Sequence, residues 1–295
     1  MAGIDINRTT SGVLLPPELS AEIWQSTLEA SVVQRLVPQV SLPGSGVTIQ
    51  TITGDPAAEW VAETGVKPVD ESTFGSKNMT PYKMAVIEPF SDEFRRDKAA
   101  LYGALASRLP NALARLFDAT VLHGTAPGSG FDTLANAAEV SIAADPYDGF
   151  VDALQAVANA GGNLSGWALN TNGEVALLRA RDGFDRPFFT ANPQTDGSIG
   201  SVLGRPVFRS QAVSDPSDAD LVGIAGDFAS ARWGTVEGIK ISVTDQATLG
   251  TGENAINLWQ RNMFAVRVEA EFGFIVRDGA RFVRLTSAAA GTGEE

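Results

Sequence analysis

The feature that most constrains the fold is an alternation of fourteen residues near the carboxyl end of the chain, Met263–Val276. A period of two predicts a β-strand with one face in a core and the other in water. At a rise of about 3.3 Å per residue the strand is roughly 46 Å long, which is long for a strand. The inward set is Phe264, Val266, Val268, Ala270, Phe272, Phe274 and Val276, and the outward set is Arg267, Glu269 and Glu271.

Leucines at helical spacing predict one long helix over Asp92–Gly124. Gly124 is placed to end it, because glycine is the usual residue just past a helix C-terminus. Pro110 lies inside the segment and removes one helix hydrogen bond, so we expect a kink or a break near Leu109. The predicted inward stripe is Leu101, Leu105, Leu109, Leu113, Leu116 and Phe117.

Two extended segments, Val47–Thr53 and Met79–Phe90, are separated by the polar stretch Gly54–Asn78. A link of about 25 residues is far longer than an ordinary hairpin loop, and links of that length usually have a function. Trp60 and Val61 stand isolated within it, which predicts a contact surface.

Shorter elements complete the pattern. Helical spacing over Glu18–Val37, ended by Pro38, predicts an amphipathic helix that docks either on its own domain or on a neighbouring subunit. Helices are predicted from Asp145 to Gly162, with Phe150, Val151, Leu154 and Val157 inward, and from Asn172 to Arg181, capped by Thr171 or Asn172. Short strands are predicted at 167–170, 202–208, 221–224 and 239–243. Without βαβ regularity, the class is α+β.

Composition excludes several kinds of chemistry. The chain has 295 residues, no cysteine, one histidine and a net charge of −13. Disulfides, thiol nucleophiles and cysteine-ligated metals are therefore ruled out. No apolar stretch is long enough to cross a bilayer and the start shows no signal peptide, which predicts a protein made and kept in a cytosol. The acidic charge argues against tight, non-specific binding of phosphates.

The remaining polar features favour structural roles over catalysis. His123, at the end of the long helix, is interpreted as a cap whose charge complements the helix dipole. The cluster of Asp215, Asp218 and Asp220 lacks the glycine and glutamate of a calcium loop, so we interpret it as a solvated turn. The turn at 124–130 lacks the lysine of a phosphate loop. These residues predict a protein that is not an enzyme and has no cofactor and no metal site.

Several short motifs occur in a specific order along most of the chain. They are Ala58–Glu63, Lys67-Pro68, Thr73–Gly75, Phe90–Asp97, Trp167–Asn170, Leu177–Asp182, Gly204–Val207, Gly226–Phe228 and Phe264–Glu269. In order and spacing they resemble the major capsid protein of tailed bacteriophages, with the Hong Kong 97-type fold. The resemblance covers about Leu14 to Thr286.

The resemblance implies a domain plan. It comprises an N-terminal arm (1–45), an extended loop (46–90), a peripheral domain with a spine helix and long C-terminal strands (91–140 and 235–295), and an axial domain (141–234). The arm and the loop would lie across neighbouring subunits, with Ile23, Trp24, Trp60, Val61 and Phe74 as contact residues.

The resemblance also implies a function. It is that of a structural subunit forming hexamers and pentamers of an icosahedral virion shell around double-stranded DNA, which it would enclose without sequence-specific binding. A separate scaffolding protein, a portal, and a maturation protease or decoration protein are the implied partners. Assembly would occur in the host bacterial cytoplasm, with no membrane involved. The alternatives are an encapsulin-type nanocompartment shell of the same fold and an enzyme of unknown type.

Some members of the resembled family cross-link their shells through isopeptide bonds. Their pattern is a lysine before proline, an asparagine before methionine, and a glutamate seven residues later. Lys67, Asn262 and Glu269 match it. The alternative interpretation makes Lys67 a solvated charge, Asn262 a turn residue and Glu269 the partner of an arginine.

Overall fold

A computed structural model describes residues 31–54, 60–61, 73–93, 98–180, 198–252 and 255–288. The α-helices are α1 (Val32–Leu36), α2 (Lys98–Leu122), α3 (Pro146–Asn159) and α4 (Thr171–Arg179). The strands of the first half of the chain are β1 (Gln39–Ser41), β2 (Val47–Gly54), β3 (Thr73–Met79), β4 (Tyr82–Ser91), β5 (Ala138–Ser141) and β6 (Gly166–Leu169). Those of the second half are β7 (Ser198–Val202), β8 (Arg205–Arg209), β9 (Leu221–Gly226), β10 (Ala231–Thr235), β11 (Lys240–Thr244), β12 (Thr248–Leu249), β13 (Ile256–Asn257), β14 (Met263–Val276) and β15 (Phe282–Thr286).

The long strand β14 organises the first sheet, as its alternation predicts. It pairs antiparallel with β4 along one edge, and with β11 and β10 in succession along the other. Its inward residues from Phe264 to Val276 are buried, whereas Arg267 is exposed. The alternation ends near Ile275, which is also buried, because Leu42 and Met79 cover the second face there.

Helix α2 packs on the apolar face of this sheet. Leu109, Leu113 and Phe117 are buried at a spacing of four, and the ring centroids of Phe117 and Phe272 lie 5.0 Å apart. The helix is continuous from Lys98 to Leu122, so it has no break near Leu109, and a kink there stays a prediction. Packing of Leu109, Leu113 and Phe117 on the sheet compensates for the one hydrogen bond that proline removes. Leu116 was also placed wrongly, since it is half exposed: it lies about 100° around the helix from Phe117.

A second sheet has the strand order β5-β15-β9-β6-β8-β7. Helix α3 packs against it through Phe150, whose ring meets Trp167 edge-on at 4.9 Å. Val151 was expected to face inward but is exposed, since it lies one position off the buried stripe. The N-cap of α4 is Asn170, whose side chain accepts a hydrogen bond from Gly173 N at 2.8 Å; both predicted caps were wrong by one or two residues.

Strands β2 and β3 form an antiparallel hairpin. Their register runs from Val47 opposite Met79 to Gly54 opposite Thr73. Residues 73–78, expected within the polar link, are thus part of a strand, and the link proper is shorter than predicted. Lys77 and Asn78 are polar strand residues, which hid the alternation. Among the described residues, the hairpin pairs with no further strand.

The two main sheets do not follow the sequence ranges of the expected domain plan. Strand β10, in the range assigned to the axial domain, pairs with β14 in the first sheet. Strand β15, in the range assigned to the peripheral domain, lies in the second sheet. The domain boundaries remain a prediction.

Candidate subunit-interface site

The root of the β2–β3 hairpin is fastened to the body of the protein at Lys77. The Lys77 Nζ atom lies 2.9 Å from Asp132 Oδ2 and donates a hydrogen bond of 2.6 Å to the Val276 carbonyl. The same Asp132 oxygen accepts a hydrogen bond from Val276 N at 2.9 Å. Beside this ion pair, Met79 is fully buried against Leu42. The Lys77–Asp132 ion pair and the buried Met79 side chain therefore fix how the hairpin is attached to the rest of the protein.

The predicted contact residues of the loop are described in part. Trp60 is fully exposed, at 105%, and Val61 is also exposed. The backbone of Phe74 pairs with Ile52 in the hairpin. Ile23, Trp24 and Lys67 lie outside the described residues.

Asn262 occupies a tight turn at the start of β14. Its φ of 53° is left-handed, a conformation that asparagine tolerates better than most residues. It follows the 3₁₀ turn Trp259–Arg261, and its carbonyl accepts a hydrogen bond from Asp92 N at 2.9 Å. The residue itself is exposed. These observations fit a turn residue, and they also leave its amide accessible to another subunit.

Glu269 lies in the middle of β14, and its side chain is mostly buried. Its Oε1 atom is 3.3 Å from Arg267 Nε, as the alternative interpretation expects. Seven residues of strand separate it from Asn262, which corresponds to roughly 23 Å at about 3.3 Å per residue. One subunit therefore does not bring these two side chains together.

Trp259 was missed in the sequence, although it is an isolated aromatic residue in a polar stretch, as Trp60 is. Its side chain is 70% exposed. It lies three residues before Asn262, in the turn that leads into β14. The neighbouring Leu258 is fully buried and fixes the turn to the body.

His123 connects two parts of the molecule. Its Nε2 atom lies 2.9 Å from the Ala212 carbonyl and its Nδ1 atom 3.6 Å from Asp215 Oδ2. It thus bridges the end of α2 to the turn after β8, instead of capping its own helix as predicted.

The aspartate cluster is a turn, as predicted. Hydrogen bonds from Ser217 hold the pKa of Asp215 below its ordinary value, with the charges of His123 and Arg284 adding to the effect. Asp218 pairs with Arg284 at 2.8 Å. Over the described ranges, no three acidic or histidine side chains are grouped to hold a metal ion. Within those same ranges, no helix has the length and apolarity needed to cross a membrane.

Asp118 is a second residue that the sequence did not reveal. It lies on α2, where helical spacing gave no reason to single it out, yet it is 1% exposed. Its carboxylate accepts hydrogen bonds from the backbone of Val32 and Val33 at the start of α1. Asp118 therefore fastens the first described residues to the long helix.

Comparison with known proteins identifies the family. Residues 11–287 match the Phage capsid family. The chain is 34% identical over 292 residues to a probable major capsid protein, gp17, of Mycobacterium phage L5, covering 92% of this chain and 89% of that protein. It is 33% identical over 294 residues to the corresponding gp17 of Mycobacterium phage D29, covering 95% and 92%.

Solved structures share the fold. A structure from Gordonia phage Cozz superposes with a TM-score of 0.69 at 25% identity, covering 88% of this chain and 87% of that one. One from Mycobacterium phage Adephagia gives 0.71 at 21% identity, covering 88% and 91%. The capsid of a native GTA particle gives 0.64 at 15% identity, covering 98% and 96%. The expected α+β fold of phage capsids is confirmed, and the chain belongs to the phage capsid family.

Proposed function

We propose that this major capsid protein builds an icosahedral head from hexamers and pentamers, in which the β2–β3 hairpin of each subunit lies on a neighbour. The observation that carries the proposal is the hairpin itself. It projects from the body through a root at Lys77 and Met79, and Trp60 beyond its strands is fully exposed. An extension of this kind adds contact area that a compact subunit lacks, and obligate interfaces often exceed about 2,000 Å².

The nanocompartment alternative is less favoured. Two relatives that are 34% and 33% identical to the chain bear the name of probable phage major capsid proteins. The protein is accordingly located in the virion, and the shell would enclose the phage genome. A net charge of −13 supports enclosure of DNA without tight binding to the wall.

Assembly would take place in the host bacterial cytoplasm, with a separate scaffolding protein, a portal, and a maturation protease or decoration protein as partners. The support for these partners is the resemblance of the motifs. Expression of the chain with and without the neighbouring phage genes tests whether closed shells need a second protein.

Assembly of the purified chain tests the main proposal. We expect sedimentation and electron micrographs to show capsomers or closed shells. Trp60→Ala should weaken assembly while leaving the folded subunit intact, and Leu116→Ala, at another exposed apolar residue, serves as a control for surface hydrophobicity. A monodisperse monomer of 31.0 kDa over a wide range of concentration and ionic strength would contradict the proposal.

Covalent cross-linking of the shell is a second proposal on the same surface. The neutral amine of Lys67 would attack the side-chain amide carbon of Asn262 on a neighbouring subunit, forming a C–N bond and expelling ammonia. Glu269 would take up the proton that the lysine ammonium loses. Because Asn262 and Glu269 of one subunit are roughly 23 Å apart, they would have to come from different subunits. The exposure of Asn262 supports the proposal.

Denatured particles on a gel test the cross-link. We expect a ladder of covalent oligomers that disappears in Lys67→Ala and in Asn262→Asp. Lys83→Ala is the matched control, since it removes a lysine of the body sheet and leaves Lys67, Asn262 and the root of the hairpin intact. A single band near 31.0 kDa from mature particles would end the proposal.

A further inference from the structure

We infer that the turn at Trp259 is the surface on which the Trp60–Val61 segment of a second copy of this chain docks. The inference deepens the proposed function and rests on it, since it requires that the hairpin of one subunit lies on another. It names the place where the hairpin makes its contact and the side chains that make it.

Exposure is the first argument. Trp60 is 105% exposed and Trp259 is 70% exposed, while the next large apolar side chain in the described residues, Leu116, is 50% exposed. Burying an aromatic side chain removes roughly 150–250 Å² from water. Tryptophan is also among the residues most enriched at the energetic centres of interfaces. Neither indole is covered within the subunit, so both are available to a second copy.

The turn presents Trp259 on a fixed backbone. Leu258 is fully buried, and its carbonyl accepts hydrogen bonds from Met263 N at 2.9 Å and from Arg261 N at 3.3 Å. Asn257 Oδ1 accepts a further hydrogen bond from Gln260 N at 3.1 Å. A side chain held out by an ordered turn loses little backbone freedom when it binds, which favours it as a docking point.

Charge supports the same pairing. Arg261 is exposed beside Trp259. In the sequence Trp60 stands between Glu59 and Glu63. An acidic segment approaching a basic turn fixes which two surfaces meet, since like charges at the same contact would oppose it.

The position along the chain agrees with the proposed cross-link. Trp259 precedes Asn262 by three residues, and Trp60 precedes Lys67 by seven. Seven residues span at most roughly 23 Å, so a hairpin that brings Lys67 to Asn262 of a neighbour keeps its Trp60 within reach of that neighbour's Trp259 turn. The docking does not need the covalent bond, so it applies equally to a shell without cross-links.

Paired cysteines test the docking directly, because the chain contains no cysteine of its own. In assembled particles of the double variant Val61→Cys and Gln260→Cys, which keeps both tryptophans, we expect oxidation to link subunits into oligomers that a reductant separates. A disulfide forms only where Cα atoms come within about 7 Å. The controls are each single variant, and the pair Val61→Cys with Leu116→Cys, which should remain monomeric on the gel.

A charge exchange covers the case in which the cysteine variants do not assemble. Arg261→Glu should raise the critical concentration for assembly by about tenfold or more, because it places like charges together. Adding Glu59→Arg should restore assembly, while Glu59→Arg alone should impair it.

The outcomes separate the inference from the function beneath it. Particles that assemble but show no disulfide for the Val61→Cys and Gln260→Cys pair, or equal linking of the control pair, would overturn the docking alone. Failure of the charge exchange to restore assembly would do the same. A wild-type chain that stays monomeric would overturn the proposed function instead.

Discussion

Ser31 and Asp118, 87 positions apart in the sequence, share a buried hydrogen bond of 2.5 Å from Ser31 Oγ to Asp118 Oδ1. The start of α1 sits on the same carboxylate through two backbone amides, as described above. The sequence left open whether the N-terminal helix docks on its own domain or on a neighbour. The described helix Val32–Leu36 begins after an extended N-cap, Ser31, so the predicted helix over Glu18–Val37 is not continuous through residue 31. This short helix docks on its own domain, and the docking of the residues before 31 stays a prediction.

This contact predicts a pH-dependent stability. Burial raises the pKa of Asp118 from 3.8 to about 7, against the lowering effect of the hydrogen bonds from Ser31, Val32 and Val33. A carboxyl that binds its proton more tightly in the folded state stabilises the fold below its unfolded pKa, and this stabilisation is lost as the pH rises through about 7. We expect the free energy of unfolding to fall between pH 4 and pH 7, measured by urea titration.

The matched control for this prediction is Asp118→Asn. The amide cannot ionise, so the decline between these pH values should flatten, although overall stability falls because one acceptor oxygen is lost. Asp148→Asn, an exposed aspartate on α3, should leave the pH profile as in the wild type. An unchanged slope in Asp118→Asn would contradict the assignment to Asp118.

Lys77→Met should loosen the hairpin without unfolding the body. The pair with Asp132 is partly exposed, so its loss should cost only about 1 kcal/mol of global stability. Backbone amides of β2 and β3 should exchange with deuterium faster, because the tie that fixes the root is gone. Lys83→Met is the control: it removes the 3.4 Å pair with Glu271 on the body sheet and should leave hairpin exchange unchanged. Equal rates of amide exchange in the wild type and in Lys77→Met would argue against a role of the Lys77–Asp132 pair in fixing the hairpin.

Phe272→Ala should destabilise the subunit strongly. Its ring packs 5.0 Å from Phe117 and 6.2 Å from Trp233, at the contact between β14 and α2. Truncation of a buried phenylalanine costs about 3–5 kcal/mol, since the cavity does not fully collapse. Ile87→Ala, at an exposed position on β4, should change the unfolding free energy by less than about 0.5 kcal/mol. A similar small loss in both variants would contradict this view of the core.

Features that a local sequence pattern determines could be predicted from the sequence, whereas features that depend on packing between distant residues could not. The strand Met263–Val276 and the cap Asp145 were predictable, because alternation and a capping residue before proline are local signals. Continuity of the helix through Pro110 was not, since packing on the sheet decides it. The strand Thr73–Met79 was missed because its polar residues belong to a hairpin that adds little core of its own.

The same distinction applies to the residues of the candidate site. An isolated tryptophan in a polar stretch marked Trp60, and the same signal was present at Trp259 but overlooked. Asp118 and the tie between Lys77 and Asp132 join residues far apart in the chain, so no single segment contains their signal. The separation of Asn262 from Glu269 follows from strand geometry alone, once both are placed on or next to β14.

Assembly should protect the loop from proteolysis. In free subunits we expect cleavage within 54–78, because long exposed loops are preferred sites of nicking, and the strand pairing of 73–78 should concentrate the cuts before residue 73. In mature shells the same bonds should be protected, since a neighbour covers the segment around the fully exposed Trp60. Mass spectrometry of limited digests of both forms measures this, with Trp60→Ala particles expected to lose part of the protection. Equal cleavage rates in free subunits and intact shells would count against an intersubunit role for the loop.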